Sequence, residues 1–426
     1  MALRNPPEPL GTAARRAALR LLDAVLRRGE PLEAALAQAT RALPGGPDRG
    51  LAHAIAAETL RRLTDLDALI DSATRNRLAD DAKARSALRV ALVQVLALGT
   101  PPHAAIATVL PLVDGGPKRL VHGVFGTLVR GGATLPELPA LPAAVAERWQ
   151  AAWGEEAVAG AARAIAAPPP VDLTLRDPAE TAGWAERLGG TSLARGHVRL
   201  VDPAPIAELP GYAEGAWWVQ DLAATLPARL IGAGDGTVLD LCAAPGGKTL
   251  QLAAAGWQVT AVDASAARLE RLTESLARTG LKAEIAVADL LDWSPPEPAD
   301  AVLLDAPCTA TGIFRRHPEV LHRVRPRAIA EAAELQARLL ARAAEWVRPG
   351  GTLVYATCSL EPEEGERQIE RFLAERTDYA LAPVSESELP AGIAPAGPGW
   401  VRTLPGMLAA AGGLDGFFIA RLRRVG

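Results

Sequence analysis

The chain has three cysteines in 426 residues, and all three sit in segments of one kind. Cys242 ends the apolar run from Val238 to Leu241 and opens Ala243–Ala244–Pro245–Gly246–Gly247–Lys248. Cys308 closes Asp305–Ala306–Pro307–Cys308, and Cys358 lies in Ala356–Thr357–Cys358–Ser359. Each stands just past a strand-like run, so the three thiols are expected at one edge of one sheet. A free thiol there is a candidate nucleophile if its surroundings favour the thiolate, since cysteine ordinarily titrates near pH ~8.5. Three carboxylates share the pattern. Asp263 lies 21 positions after Cys242, the spacing at which a second-strand acid accepts hydrogen bonds from ribose hydroxyls. Asp289 ends the third strand, where a side chain meets an adenine edge, and Asp305 ends the fourth. One such Asp is weak evidence, because carboxylates often cap a following helix. Three in register with a glycine turn are much stronger.

The turn itself narrows the ligand. Strand, glycine turn and helix make a layout in which backbone N–H groups at a helix start face a ligand. The turn is not G-x-G-x-x-G, which disfavours a nicotinamide dinucleotide. Gly247–Lys248–Thr249 imitates the end of a phosphate-binding loop, but that motif needs a glycine where Cys242 stands. S-adenosylmethionine remains, with small residues allowing close approach.

The elements that must position these residues follow from the pattern. Strands are expected at Val238–Leu241, Gln258–Val262, Ala283–Val287, Ala301–Leu304 and Thr352–Tyr355, with Gly350–Gly351 as a turn before the fifth. Helices fall at Ser265–Thr279 and Arg327–Trp346. The alternation predicts an α/β, doubly wound, Rossmann-like core with a parallel sheet. Gly416–Leu422 supplies a last strand, antiparallel, at or next to the edge. Upstream, helical spacing is predicted over Ala13–Arg28, Leu51–Leu63, Ala84–Leu98 and Lys118–Arg130, an all-α bundle. A proline-rich linker precedes a helix over Ala144–Ala167 and a small α/β insert, with strands Val171–Leu175 and His197–Val201 around a helix over Ala179–Leu188. The expected domains are 1–135, 136–206 and 207–426. Trp217 and Trp218 read as sheet packing ahead of base stacking.

Bulk properties restrict the rest. A chain this long holds two or three domains. Its apolar runs are too short and too interrupted for a membrane span. Arg4, Pro6 and Pro7 replace the apolar stretch of a secretory leader. Three cysteines are no disulfide framework, so a reducing, cytoplasmic compartment is expected. The six scattered histidines offer no metal-site spacing, and no metal is expected. The net charge of −4 hides an asymmetry: residues 1–130 carry 18 Lys+Arg against 12 Asp+Glu, or +6, leaving −10 for the remainder. A basic module fits a nucleic-acid contact surface, and equally an arginine-rich solvated helix face.

Two resemblances emerge from the motifs. Asp48–Arg49–Gly50–Leu51–Ala52, Pro102–His103–Ala104–Ala105–Ile106 and the run from Val121 to Arg130 resemble the NusB-type RNA-binding helical domain. His103 and His122 read as capping or core residues ahead of RNA contacts. The run from Asp240 to Thr249, that from Asp305 to Gly312, and that from Tyr355 to Leu360 resemble the motif set of RNA 5-methylcytosine methyltransferases. With the helical domain in front, the whole chain resembles the RsmB/Sun family, which acts on small-subunit (16S) ribosomal RNA. That resemblance implies S-adenosylmethionine held around Cys242, Ala243, Ala244, Pro245, Gly246, Gly247, Lys248, Asp263, Asp289 and Asp305.

It also implies Cys358 as nucleophile and Cys308 as the thiol that assists product release. A thiolate adding at cytosine C6 makes C5 nucleophilic enough to take a methyl group. Asp305 would stabilise the ring adduct at N3, and Lys248 would give electrostatic help. Arg315–Arg316–His317–Pro318 would grip target phosphates, and Leu321–His322 stands where the family has a Lys-Trp pair. The segment from Gly406 to Asp415 is longer and more apolar than the family pattern. A transfer RNA or another ribosomal cytosine would suit the same core. A non-catalytic NusB-like RNA-binding factor has no use for two thiols at one sheet edge.

Overall fold

The computed structural model describes residues 8–425, so Arg4, Pro6 and Pro7 lie outside the described residues. It forms two compact units. One comprises the chain up to Arg148 with Ala161–Ala167 and Phe314–Arg323; the other comprises Trp149–Gly160, Pro168–Ile313 and Val324 onward.

The first unit is helical: α1 Thr12–Arg28, α2 Leu32–Ala39, α3 Gly46–Arg61, α4 Leu63–Ser72, α5 Lys83–Leu96, α6 Pro102–Val109 and α7 Gly115–Arg130. In α1 the buried stripe Ala14, Ala17, Ala18, Leu21, Leu22, Val25 follows the expected spacing. Gly29 ends the helix in the left-handed region, its N–H returning to Ala24 and Val25 carbonyls. Helix α5 is buried on nearly every side, including Arg85 and Arg89. Those two arginines are neutralised by Asp67 and Asp71, Arg89 donating to both Asp67 oxygens at 2.7 and 2.8 Å. Part of the basic excess is therefore internal and paired. On α1, Arg27 and Arg28 pair with Asp23, and Arg28 also with Glu30.

Three expectations are corrected here. His103 and His122 are exposed on α6 and α7, so neither is a core residue. Arg315, expected on a phosphate-gripping loop, is buried within the helical unit, where its carbonyl accepts Arg61 Nη2 at 2.8 Å. Burial follows because Phe314–Arg323 packs as part of that unit: Glu319 accepts the α2 Leu32 N–H at 3.2 Å, and His322 Nε2 meets the Leu60 carbonyl at 2.7 Å. The helix expected over Ala144–Ala167 is two, α8 Ala143–Trp153 and α9 Glu155–Ile165, because Gly154 between them takes φ 81°.

The second unit opens with a small antiparallel sheet of β1 Val171–Leu175, β2 His197–Leu200 and β3 Trp217–Val219, order β2-β1-β3, with α10 Thr181–Arg187 between its first two strands. Trp217 and Trp218 thus form its third strand, both buried as packing residues. Trp217 joins Leu173, Leu175 and Trp184, whereas Trp218 packs with Ala243, Ala244 and Leu250. Asp172, almost fully buried, receives Arg199 through two hydrogen bonds of 2.6 and 2.7 Å and also accepts the Leu222 N–H at 2.9 Å. Arg199→Met should therefore cost about 3 kcal/mol of stability, because it strips a buried carboxylate of its two-bond partner and leaves it only the Leu222 N–H and His197, 3.3 Å away. Adding Asp172→Asn should return part of that loss in the same denaturant titration.

The main sheet follows α11 Leu222–Ile231. It comprises β4 Thr237–Leu241, β5 Gln258–Asp263, β6 Glu284–Val287, β7 Ala299–Asp305, β8 Val347–Thr357, β9 Tyr379–Leu381, β10 Trp400–Thr403 and β11 Phe417–Arg424. Its helices include α12 Gly247–Ala254, α13 Ala266–Thr279, α15 Pro326–Glu345 and α16 Glu366–Glu375, whereas the short α14 Val320–Arg323 belongs to the helical unit. The order is β10-β11-β8-β7-β4-β5-β6, with β9 pairing β11; β4 to β8 are parallel, and β11 pairs antiparallel with β8, β9 and β10. The last strand lies next to the edge, as expected. Gly350–Gly351 is an irregularity inside β8, where the register against β7 jumps from Ala299↔Val347 to Ala301↔Thr352. Strand order reverses beside β4, which opens a crevice at the carboxyl ends of β4 and β7. Among the described residues no helix is long and apolar enough to cross a membrane.

Candidate active site

The carboxyl end of β4 makes the first wall. Cys242 turns there with φ 60°, the Ala244–Pro245 peptide is cis, and Gly246 takes φ 111° before α12 begins. A Cβ on Gly246 would sit 2.4 Å from Leu272 Cδ1, so only glycine allows this approach to α13. The loop is tied to β5: Ala243 N donates to the Val262 carbonyl at 3.1 Å, and Ala244 N to Asp263 Oδ2 at 3.1 Å. Asp263 is buried, and its Oδ1 accepts Ser265 N at 2.9 Å. Each carboxylate oxygen thus has one N–H bond and room for a further donor. Asp289 lies two residues beyond β6, exposed, with Oδ1 capping the turn at Leu291 N, 2.9 Å away.

Beneath this loop lies Asp240, absent from the sequence-derived candidates. It is fully buried; Oδ2 accepts Thr249 Oγ1 at 2.5 Å, and Oδ1 has no hydrogen-bond partner. Burial pushes its carboxyl up to about 7 against the opposing bond from Thr249 and the charge of Lys248. A raised carboxyl favours the fold fully below about pH 4 and loses that contribution as pH rises through 7. Wild-type unfolding free energy should therefore decline between about pH 4 and 7 by an increment that Asp240→Asn abolishes in parallel urea titrations. The close-packed glycine turn and this orphaned acceptor suit S-adenosylmethionine, whose sulfonium and ammonium groups are cationic.

The second wall joins the ends of β7 and β8. Their register sets Asp305 opposite Ala356, which brings the two cysteine loops side by side. Cys308 Sγ and Cys358 Sγ are 3.4 Å apart, and both residues are half-buried. Gly312 N donates to the Cys358 carbonyl at 2.9 Å, and Leu360 N to Thr311 Oγ1 at 3.0 Å. The Cys358 sulfur, then burial, push the Cys308 thiol well above its ordinary value, with the Glu364 charge adding to the effect. Cys242 is also raised, by burial first and then by Asp305, Asp263 and Asp240, which fits a packed thiol beside a ligand rather than a nucleophile.

Lys248 connects the walls. Its Nζ donates to Asp305 Oδ2 at 2.6 Å and lies 5.5 Å from the Phe417 ring centre. Burial alone would lower its proton affinity, but Asp305, Asp240 and Cys358 outweigh that and raise it. The structure thus brings together Cys358, Cys308, Asp305, Lys248 and the loop from Cys242 to Gly247, with Asp263 behind the loop. Sequence reasoning also missed Glu364, the buried carboxylate that receives Thr309 and Ser359. In Glu361–Pro362–Glu363–Glu364 it reads as one more acid of a solvated run. Among the described residues no cluster of His, Cys, Asp or Glu could hold a metal ion.

Comparison with known proteins agrees with this geometry. Residues 229–423 match the family model described as 16S rRNA methyltransferase RsmB/F, and residues 12–119 match the NusB family. The chain is 38% identical to the ribosomal RNA small subunit methyltransferase B of Xylella fastidiosa, over 97% of this chain and 98% of the relative. It is 35% identical to the protein of the same name from Klebsiella pneumoniae, over 95% of this chain and 96% of the relative. A crystal structure of a methyltransferase homolog protein from Pyrococcus horikoshii superposes with a TM-score of 0.56 at 28% identity, covering 70% of this chain and 98% of that one.

Proposed function

The chain belongs to the RsmB/F family of S-adenosylmethionine-dependent methyltransferases, and from that premise we propose that it methylates carbon 5 of a cytosine in 16S ribosomal RNA through a covalent cysteine adduct. The observation that carries this reading is the pair of sulfurs 3.4 Å apart at the sheet edge that also holds Lys248 and Asp305.

The residues support a definite order of events. Lys248 lies close enough to Cys358 for their charges to interact, and a Cys308 S–H can donate to the Cys358 sulfur 3.4 Å away. The Cys358 thiolate adds to cytosine C6, and the Lys248–Asp305 pair supplies a proton at N3, so the ring electrons are delivered to C5. S-adenosylmethionine, held by the Cys242–Gly247 loop, Asp263 and Asp289, supplies an electrophilic methyl group. Cys308, its own proton released to solvent, then removes the C5 proton as a thiolate, the C5–C6 double bond re-forms, the C6–S bond breaks to return Cys358 as thiolate, and N3 gives its proton back to the Lys248–Asp305 pair.

The raised state of Cys308 suits this sequence. Its largest cause is the Cys358 sulfur, and that cause disappears once Cys358 is a neutral thioether. Cys308 is then most easily ionised at the stage that needs a base. The target base leaves its stack to expose both ring faces. We assign residues 1–135 to RNA binding, 136–206 to a linker and an RNA-contacting insert, and 207–426 to catalysis, all acting in the cytoplasm. The helical unit has a cleft of about 960 Å³ whose lining carries both signs of charge, Arg16, Arg20 and Lys83 beside Asp23, Asp80 and Asp114.

The test is transfer of label from S-adenosylmethionine to unmodified 16S ribosomal RNA, followed by digestion to nucleosides. Label in 5-methylcytidine is expected. Label in another nucleoside, or cytosine label confined to transfer RNA, would overturn the assignment. Absence of label from every RNA, despite cofactor binding, would favour a binding factor.

A further inference from the structure

Glu364 is fully buried in the short turn Pro362–Glu364 after β8. Four donors converge on its carboxylate. Oε1 accepts the hydroxyls of Thr309 and of Ser359, the latter at 2.8 Å. Oε2 accepts Thr309 N at 2.9 Å and Gln336 Nε2 at 2.8 Å. Thr309 directly follows Cys308, and Ser359 directly follows Cys358. One carboxylate therefore receives the next residue from each cysteine loop. The same Gln336 amide also donates to the Pro307 carbonyl at 2.9 Å, which fixes the residue before Cys308. The Glu364 carbonyl accepts Tyr355 Oη at 2.8 Å and Thr357 Oγ1 at 3.2 Å, which secures the end of β8.

A carboxylate suits this place because it brings two acceptor oxygens and no donor. Glutamine would turn an NH2 group toward groups that are themselves donating. Aspartate keeps the charge but is one methylene short of both loops. Burial raises the proton affinity of Glu364, and the bonds from Thr309, Ser359 and Gln336 work against that by favouring the ionised form.

We propose that Glu364 is a positioning residue: by gripping the residue after each cysteine, it sets the separation and aim of the Cys308 and Cys358 sulfurs. This rests on the reading of those two thiols as the reacting pair. Glu364 touches neither substrate nor cofactor in this role and acts through the two loops.

The experiment uses the full chain with Glu364→Gln, Glu364→Asp and, as a control, Glu363→Gln, whose side chain is exposed and pairs with Arg367. Two readouts are taken. The first is kcat and KM for S-adenosylmethionine and 16S ribosomal RNA. The second is the ratio of Cys358 to Cys308 alkylation by iodoacetamide without RNA, measured by peptide mass spectrometry. Both Glu364 variants should lose about ten- to a hundredfold in kcat with each KM within about threefold, the scale of a misplaced reacting group. Their alkylation ratio should shift by at least about fivefold. The control should match wild type in both.

Wild-type kcat and ratio in the two variants would overturn the proposal, as would a loss confined to KM. Should the Glu364 variants fail to fold, Thr309→Val removes one hydroxyl tether alone, and an unchanged kcat and ratio there would be equally fatal. A wild-type protein that labels no cytosine would overturn the functional reading, while the alkylation ratio would still decide the tether.

Discussion

Cys358→Ala should lower methyl transfer by roughly four orders of magnitude, the scale on which loss of a covalent nucleophile acts. Cofactor affinity should change little, because the Cys242–Gly247 loop and Asp263 belong to other strands. Cys308→Ala should behave differently. It leaves the nucleophile intact, so addition and methylation proceed, and the C5 proton then has no nearby base. RNA should accumulate in covalent linkage to the protein, visible as a band that survives denaturation and is lost in the double variant. The 3.4 Å separation makes the pair of outcomes diagnostic, since either sulfur could reach the same base. An active Cys358→Ala with an inactive, adduct-free Cys308→Ala would exchange their roles.

Lys248→Met should be the second large effect, on both rate and stability. Lys248 is mostly buried and faces Asp305 at 2.6 Å, with Asp240 beneath it. Removing the ammonium leaves Asp305 without its partner and withdraws the positive charge nearest Asp240 and Cys358. Stability should fall by about 2–3 kcal/mol, the lower part of the range for broken buried pairs, since Asp305 keeps some contact with solvent. Methyl transfer should fall by about two to three orders of magnitude, as when a preorganised charge is deleted from a site. Asp305→Asn on the Lys248→Met background should restore much of the stability and none of the rate. Denaturant titration and single-turnover labelling separate the two.

The parts of this protein that could be read from its residues are those whose signal is local. Strands β5 and β7 end in Asp263 and Asp305, and β4 and β8 run straight into Cys242 and Cys358, so their chemistry-bearing tips were visible. Strands β9 and β10, three and four residues long, carry no periodicity to read. The break at Gly154 was hidden because a lone glycine is compatible with a continuous helix. Residues whose role depends on distant partners were misread or missed. Arg315 looks like a solvated basic turn and is buried; Asp240 looks like part of a strand and is an orphaned buried acid. Glu364 needed the Thr309 and Ser359 hydroxyls, 55 and 5 residues away, before its acid had a purpose.

Phe314–Arg323 carries a consequence for how the protein is made. The helical unit needs this segment, since Arg61, Leu32 and Leu60 all bond to it, yet the ribosome delivers it only after 146 further residues beyond Ala167. At about 5–20 residues per second, that is a wait of roughly 7–30 s during which the helices lack their final piece. The nascent bundle therefore waits with a seat open, and it closes only when the stretch just past Cys308 has been synthesised. Completion of the first unit thus reports that Cys308 has already emerged.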